Sequence, residues 1–124
     1  MNNLVNFPKT WFIDIDGVIF YHNGYLNVKA CESEIPLPGV VQFFKSMSSE
    51  DKVILCTARK EIYRKITELS LIKAGIKYDT LLMELPTGTR ILINDKKESG
   101  METASAINVN RNEGLCNMRD LNSK

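Results

Sequence analysis

Trp11-Phe12-Ile13-Asp14-Ile15-Asp16-Gly17-Val18 is the stretch on which the reading of this chain turns. Its first half is aromatic, β-branched and apolar on both sides, which is the composition of a central parallel strand covered on both faces. A strand is therefore expected over residues 9–15. It ends in two carboxylates and a glycine, so whatever follows can be asked what it brings to Asp14 and Asp16.

Outward from that point the chain alternates. Residues 18–38 show no helical period, and Tyr21-His22-Asn23-Gly24-Tyr25 sets an Asn-Gly pair between aromatics, a hairpin signal that predicts a small flap after the first strand. Pro38-Gly39 then punctuates, and Val40, Val41, Phe43, Phe44 and Met47 fall on one face of a helix that should end near Ser48-Ser49. Lys52-Val53-Ile54-Leu55-Cys56 predicts a second buried strand, running into Thr57-Ala58-Arg59-Lys60. Ile62, Ile66, Leu69 and Ile72 predict the core-facing stripe of a second helix, closed by Gly75. A short third strand is expected over residues 80–83 and a fourth over Arg90-Ile91-Leu92-Ile93, which leads into Asn94-Asp95. A fifth is expected at a sheet edge over residues 104–109, followed by a frayed tail over 112–124.

Composition narrows the function classes. At 124 residues, 44% hydrophobic and 25% charged, the chain reads as one soluble domain able to bury a core. Sixteen basic against fifteen acidic residues, with no basic run interleaved with aromatics, predict no nucleic-acid footprint. The apolar runs fall far short of the ~20 residues that span a bilayer, and no signal peptide opens the chain, so a cytoplasmic protein without membrane contact is expected. Cys31, Cys56 and Cys116 are too irregularly spaced for a disulfide framework or a zinc site.

Strands alternating with helices predict a parallel sheet with right-handed crossovers and helices on both faces. Ligands then bind beyond the carboxyl ends of the strands. Asp14, Asp16, Thr57 and Asp95 all stand at such ends, so the topology should bring them together. One carboxylate could attack phosphorus while the other moves the proton. Mg2+ suits oxygen ligands and commonly takes one or two carboxylates with phosphate oxygens and water. Thr57 could offer a hydroxyl and an N–H to a phosphate oxygen, although a threonine there also serves as a plain helix cap. Arg59 and Lys60 would more often be solvated first-turn residues than ligands. A calcium loop does not fit, because the sixth and twelfth positions counted from Asp14 are Ile19 and Tyr25.

Asp14-Ile15-Asp16-Gly17-Val18, Cys56-Thr57-Ala58-Arg59 and Leu92-Ile93-Asn94-Asp95 resemble motifs I, II and IV of the haloacid dehalogenase superfamily of phosphatases. The resemblance implies a three-layer Rossmann-like α/β fold of about five strands in the order 5-4-1-2-3, with residues 18–38 as a minimal cap. It implies Asp14 as nucleophile, Asp16 as general acid/base, and Mg2+ held by Asp14, Asp16 through its carbonyl, and Asp95. Thr57, Ala58 and Arg59 become phosphate-binding candidates. The lysine that precedes a proline in many relatives is Leu85 here, and Arg90 is the nearest replacement cation. A looser resemblance to proteins of capsule and surface-polysaccharide synthesis implies a sugar or polyol phosphate as substrate. A small phosphorylated metabolite is thus the expected partner, with a homo-oligomer as one way to shield a capless site. A nucleotidase or phosphomutase of the same superfamily, or a catalytically weak scaffold, stand as the alternatives.

Overall fold

In a computed structural model the chain is described over residues 7–22 and 28–121. Three parallel strands form its sheet: β1 (Thr10–Asp14), β2 (Lys52–Cys56) and β3 (Thr80–Leu82), in the order β1-β2-β3. The helices are α1 (Val28–Glu32), α2 (Val40–Lys45) and α3 (Arg64–Ala74), the last preceded by a 3-10 turn at Glu61–Tyr63. A 3-10 helix, Cys116–Leu121, closes the chain. This is an α/β arrangement with the 1-2-3 half of the expected order. No helix among the described residues is long and apolar enough to cross a membrane.

Register follows from two aspartates at the strand starts. Asp51 accepts from the Lys9 N–H and the Trp11 indole N–H, both at 2.9 Å. Asp79 accepts from the Val53 N–H at 2.8 Å while its own N–H donates to Val53 O. Trp11 therefore lies beside Val53, and Ile13 beside Leu55, which has Leu81 on its other side. Side chains in register share a face of a parallel sheet. That face is buried, joined to Val40 and Phe43 of α2 and Leu71 of α3 in one core cluster, with Trp11 set edge-on to Phe43.

The opposite face departs from expectation. It carries Phe12, Ile54 and Leu82, and Phe12 is 56% exposed, so β1 is covered on one side only. The predicted fourth and fifth strands are also not formed. Ile91, Leu92 and Ile93 are exposed, and β1 pairs only with β2 among the described residues. Local polar bonds hold that segment instead: Arg90 Nη1 donates to the carbonyls of Pro86 and Gly88, and Asn94 Nδ2 to Thr103. Such bonds compete with a strand ladder for the backbone.

The second helix exists but is rotated. Thr67, Ser70 and Leu71 face inward, whereas Ile62, Leu69 and Ile72 are exposed. Polar anchors set the rotation, since Ser70 Oγ donates to Cys31 O at 2.9 Å and Thr67 Oγ1 accepts from buried Arg59 at 3.0 Å. The flap segment contains α1, a helix of five residues, too short for periodicity to disclose. The predicted Asn23-Gly24 turn lies outside the described residues.

The segment after Arg111 is packed rather than frayed as far as residue 118. Leu115 is buried, and its N–H donates to Pro38 O at 2.9 Å. Gly114 makes this approach possible. Its φ is +85°, and a Cβ there would lie 2.1 Å from Pro38 O. Only glycine combines that conformation with that proximity at little cost. Gly114→Ala should therefore cost about 2–4 kcal/mol of stability, read as a lower urea midpoint at unchanged slope. A variant that unfolds like wild type would show that the segment from Gly114 to Leu115 does not hold Pro38.

Candidate active site

The carboxyl end of β1 is where the polar side chains meet. Past Asp14 the ladder continues for one residue, with the Ile15 N–H donating to Cys56 O at 3.1 Å. The chain then folds back on itself. Ile19 and Phe20 donate to Ile15 O, and Gly17, at φ +88°, donates to Phe20 O at 2.7 Å. Ile15, Ile19 and Phe20 are fully buried, so this tight loop is fixed from beneath and the two aspartates project from a rigid base.

Asp16 is tied down. Thr57 Oγ1 donates to its Oδ2 at 3.0 Å, and Arg59 Nε and Nη2 donate to its Oδ1 at 3.1 and 3.0 Å. Arg59 in turn reaches Glu34, donating from Nη1 at 3.2 Å and closely from Nη2. It also donates to Thr67 Oγ1 and lies 5.9 Å from the centre of the Phe20 ring. The Arg59 side chain is 2% exposed and that of Glu34 9%. Burial alone would pull the guanidinium pKa down, but the hydrogen bonds that Arg59 donates to Glu34 and Asp16 hold it above its ordinary value. A cation shared by two carboxylates is thus sealed beneath Asp16.

Asp14 is the opposite case. Its carboxylate is half-exposed and faces Arg90, whose Nη2 stands 3.7 Å from Oδ1. Desolvation raises the Asp14 pKa; Arg90 pulls it down and Asp16 pushes it up again. Two carboxylates two residues apart therefore occupy contrasting environments, one clamped by donors and one open. Such pairs mark a division of acid, base and nucleophile roles.

The sequence-predicted residues come together only in part. Asp14, Asp16, Thr57, Arg59 and Arg90 share this strand end. Thr57 is not placed to meet a phosphate, because its N–H donates to Leu82 O and its hydroxyl is engaged by Asp16 and by the Arg59 N–H. Arg59 is not a solvated first-turn residue either; its guanidinium is consumed by Asp16 and Glu34. Ala58 is exposed beside them. Asp95 stands apart on the exposed loop, its carbonyl bonded by Thr103 Oγ1, and no three potential ligands form a metal-sized group among the described residues. The expected set of Asp14, Asp16 and Asp95 is therefore not assembled, for the same reason that the fourth strand is not. Of the expected ligands, Asp14 is the one whose carboxylate stays half-exposed at this strand end, a donor of the kind Mg2+ takes with few others from the protein.

Two residues went unread in the sequence. Glu34 gives no local signal, lying in an irregular stretch 25 residues before Arg59, about 80 Å of extended chain at roughly 3.3 Å per residue. Asn112 does leave a trace in Asn112-Glu113-Gly114, a turn composition. It adopts φ 66°, donates its N–H to Gly17 O at 2.8 Å, and clamps His22 through its carboxamide, accepting at 2.7 Å and donating at 3.3 Å.

No family model and no curated protein matches the chain. Solved structures do. A chain in the structure of the Pnkp1/Rnl/Hen1 RNA repair complex is 32% identical at a TM-score of 0.54, over 67% of this chain and 28% of that one. A chain in a second structure of the Pnkp1/Rnl/Hen1 complex is 31% identical at a TM-score of 0.53, over 69% of this chain and 31% of that one. The protein thus spans under a third of the chains it resembles. These likenesses overturn the expectation of a sugar or polyol phosphate substrate and of a partner set without nucleic acid. Strand-end carboxylates are indifferent to what the phosphate is attached to, so they could not have revealed its class.

Two outcomes follow from the contrast between the acids. Arg59→Leu leaves Asp16 and Glu34 facing each other without their cation and should cost about 3–5 kcal/mol in urea unfolding; a loss below about 1 kcal/mol would show the triad to be dispensable. Asp14 works in the other sense. Its folded pKa lies above the unfolded one, so the native state binds the extra proton, and stability present below the unfolded value is lost as pH rises through the folded value. Asp14→Asn, measured without divalent ions, should be more stable than wild type at neutral pH, with the gap closing on acidification. A gap independent of pH would remove desolvation of Asp14 as its cause.

Proposed function

We propose that this chain is a phosphohydrolase domain of RNA repair, removing a terminal phosphate monoester from a nucleic-acid strand. The observation that carries the reading is the pairing of open Asp14, faced by Arg90, with clamped Asp16 at one strand end. The likeness to chains of RNA repair complexes supports the substrate class, and the motif resemblance to the haloacid dehalogenase superfamily supports the chemistry.

In this reading an Asp14 carboxylate oxygen attacks phosphorus as the bond from phosphorus to the strand oxygen breaks. That oxygen takes a proton from Asp16, which Thr57 and Arg59 keep aimed at the same point. Water, deprotonated by Asp16, then attacks the aspartyl phosphate, releasing inorganic phosphate and restoring Asp14. Arg90 is positioned to offset the charge of phosphate and nucleophile, the part that Leu85 cannot play. Mg2+, when bound at Asp14 and the Asp16 carbonyl, would neutralise phosphate oxygens.

The finer architecture belongs to the same proposal. Pairing of Arg90-Ile91-Leu92-Ile93 with the outer edge of β1 would add the fourth strand in the order 4-1-2-3. It would cover apolar side chains that now lie exposed; a parallel strand that carried Asp95 toward Asp14 would set Arg90 at the far end, so that arrangement and the Arg90 contact are alternatives.

The test is phosphate release, with Mg2+, from oligoribonucleotides ending in a 5′- or 3′-phosphate, beside a panel of sugar phosphates. Wild type should release phosphate from one of the oligonucleotides, Asp14→Asn should abolish release, and Arg90→Ala should slow it by about 10²-fold. Turnover of sugar phosphates alone, or undiminished turnover in Asp14→Asn, would sink the reading.

A further inference from the structure

The wall of the site on the Gly17 side is built by the chain's last segment. Asn112 holds the main chain of His22 by both N–H and C=O, and its own N–H is fixed to Gly17 O. The three elements touch closely: from the Cβ position of Gly17, Arg111 Cγ lies at 3.2 Å, His22 Cβ at 3.6 Å and Asn112 Oδ1 at 3.9 Å. Gly17 follows Asp16 directly, so this wall begins one residue from the acid that would protonate the leaving strand. The left-handed conformation of Asn112 is one that few side chains adopt, and here it aims the carboxamide at His22 rather than at solvent.

His22 and Arg111 on that wall, and Tyr21 adjoining His22 in the chain, have a particular chemistry. Tyr21 is 62% exposed, His22 beside it is half-buried, and Arg111 is exposed. None has a role in the phosphoryl chemistry described above. A phenol and an imidazole offer flat faces for bases, and an arginine offers a cation for a backbone phosphate, which is the combination used for single strands. With 16 basic against 15 acidic residues the chain carries little net charge to draw a strand in, so strand contact would rest on local groups such as these.

We infer that Tyr21, His22 and Arg111, assembled by Asn112 against the Asp16-Gly17 turn, form a subsite for the one or two nucleotides of a single RNA strand next to its terminal phosphate. This rests on the reading of the chain as a strand-end phosphohydrolase and names how that site would tell a strand from a free phosphate ester. Arg111 contacts the first internucleotide phosphate, Tyr21 stacks on a base, and Asn112 is a positioning residue that sets His22.

The experiment compares two substrates across Tyr21→Ala, Arg111→Ala and Asn112→Ala: p-nitrophenyl phosphate, and a phosphate-ended oligoribonucleotide of about ten nucleotides. The loss of kcat/KM on the oligonucleotide should exceed that on the aryl phosphate by about tenfold in each variant, chiefly through KM. Tyr21 and Arg111 are exposed, so those two variants keep the fold even if Asn112→Ala does not. Equal losses on both substrates, or no loss on the oligonucleotide, overturn the subsite. Binding of the same oligonucleotide, labelled and followed by fluorescence anisotropy, separates this inference from the one beneath it. If wild type hydrolyses neither substrate, the phosphohydrolase reading fails, while the subsite stands if Arg111→Ala weakens binding and lowers the salt slope by about one. It falls if binding and slope are unchanged.

Discussion

A buried guanidinium holds this structure's working end together. Arg59 sits below the surface with Asp16 on one side and Glu34 on the other, and each of these residues comes from a different part of the chain. Asp16 belongs to the loop after β1, Arg59 to the segment after β2, and Glu34 to the stretch between α1 and α2. Thr67 of α3 meets the same cation. One side chain therefore fixes the relative placement of the sheet end, the flap segment and the longest helix. Burying a charge is costly unless its hydrogen-bond needs are met, and here the fork is met by two carboxylates, a hydroxyl and an aromatic face.

That constraint explains why two aspartates separated by one residue differ so much. The donors that satisfy Asp16 are the ones that satisfy Arg59, so the clamp on Asp16 is a consequence of sealing the cation. Asp14 points to the other face of the sheet, in register with Cys56 and Leu82. That face is only partly covered, with Phe12 and Leu82 exposed, and Asp14 stays half-exposed with Arg90 as its nearby positive charge. A period of two alone would set both aspartates on one face; the chain leaves the strand after Ile15 and turns back on itself, and that turn makes the two groups unlike.

How much of this the sequence discloses depends on the range of the forces involved. β2 forms over Lys52–Cys56 as expected, β1 and β3 fall within a residue of expectation, and α2 begins at Val40 as expected but ends at Lys45, short of Ser48-Ser49; local apolar runs and Pro-Gly punctuation specify these elements. The meeting of Asp14, Asp16 and Thr57 was legible too, since parallel topology alone gathers strand ends. What local pattern misjudged was set by long-range polar contact. The apolar stripe of α3 suggested one rotation, while Ser70 on Cys31 O and Thr67 on Arg59 impose another. Arg59 itself looked like a surface residue because nothing near it in sequence announces Glu34. Arg90-Ile91-Leu92-Ile93 has strand composition, but composition does not supply the partner edge on which a strand depends.

The C-terminal segment extends the same logic to the far wall of the site. Leu115 and Gly114 lock onto Pro38, whose neighbour Gly39 starts α2, and that anchorage delivers Asn112 to Gly17 and His22. The loop after β1 is thus gripped twice, by Arg59 from beneath and by Asn112 from the side. A loop held at both points cannot yield much when a ligand arrives, so selection of that ligand must come from side chains displayed around a rigid turn. His22 and Arg111 stand against Gly17, next to Asp16, with exposed Tyr21 adjoining His22 in the chain, and in the proposed reading these would favour a strand over a compact sugar. The acids alone do not distinguish these substrates; in the proposed reading the difference would come from the wall that Asn112 builds beside them.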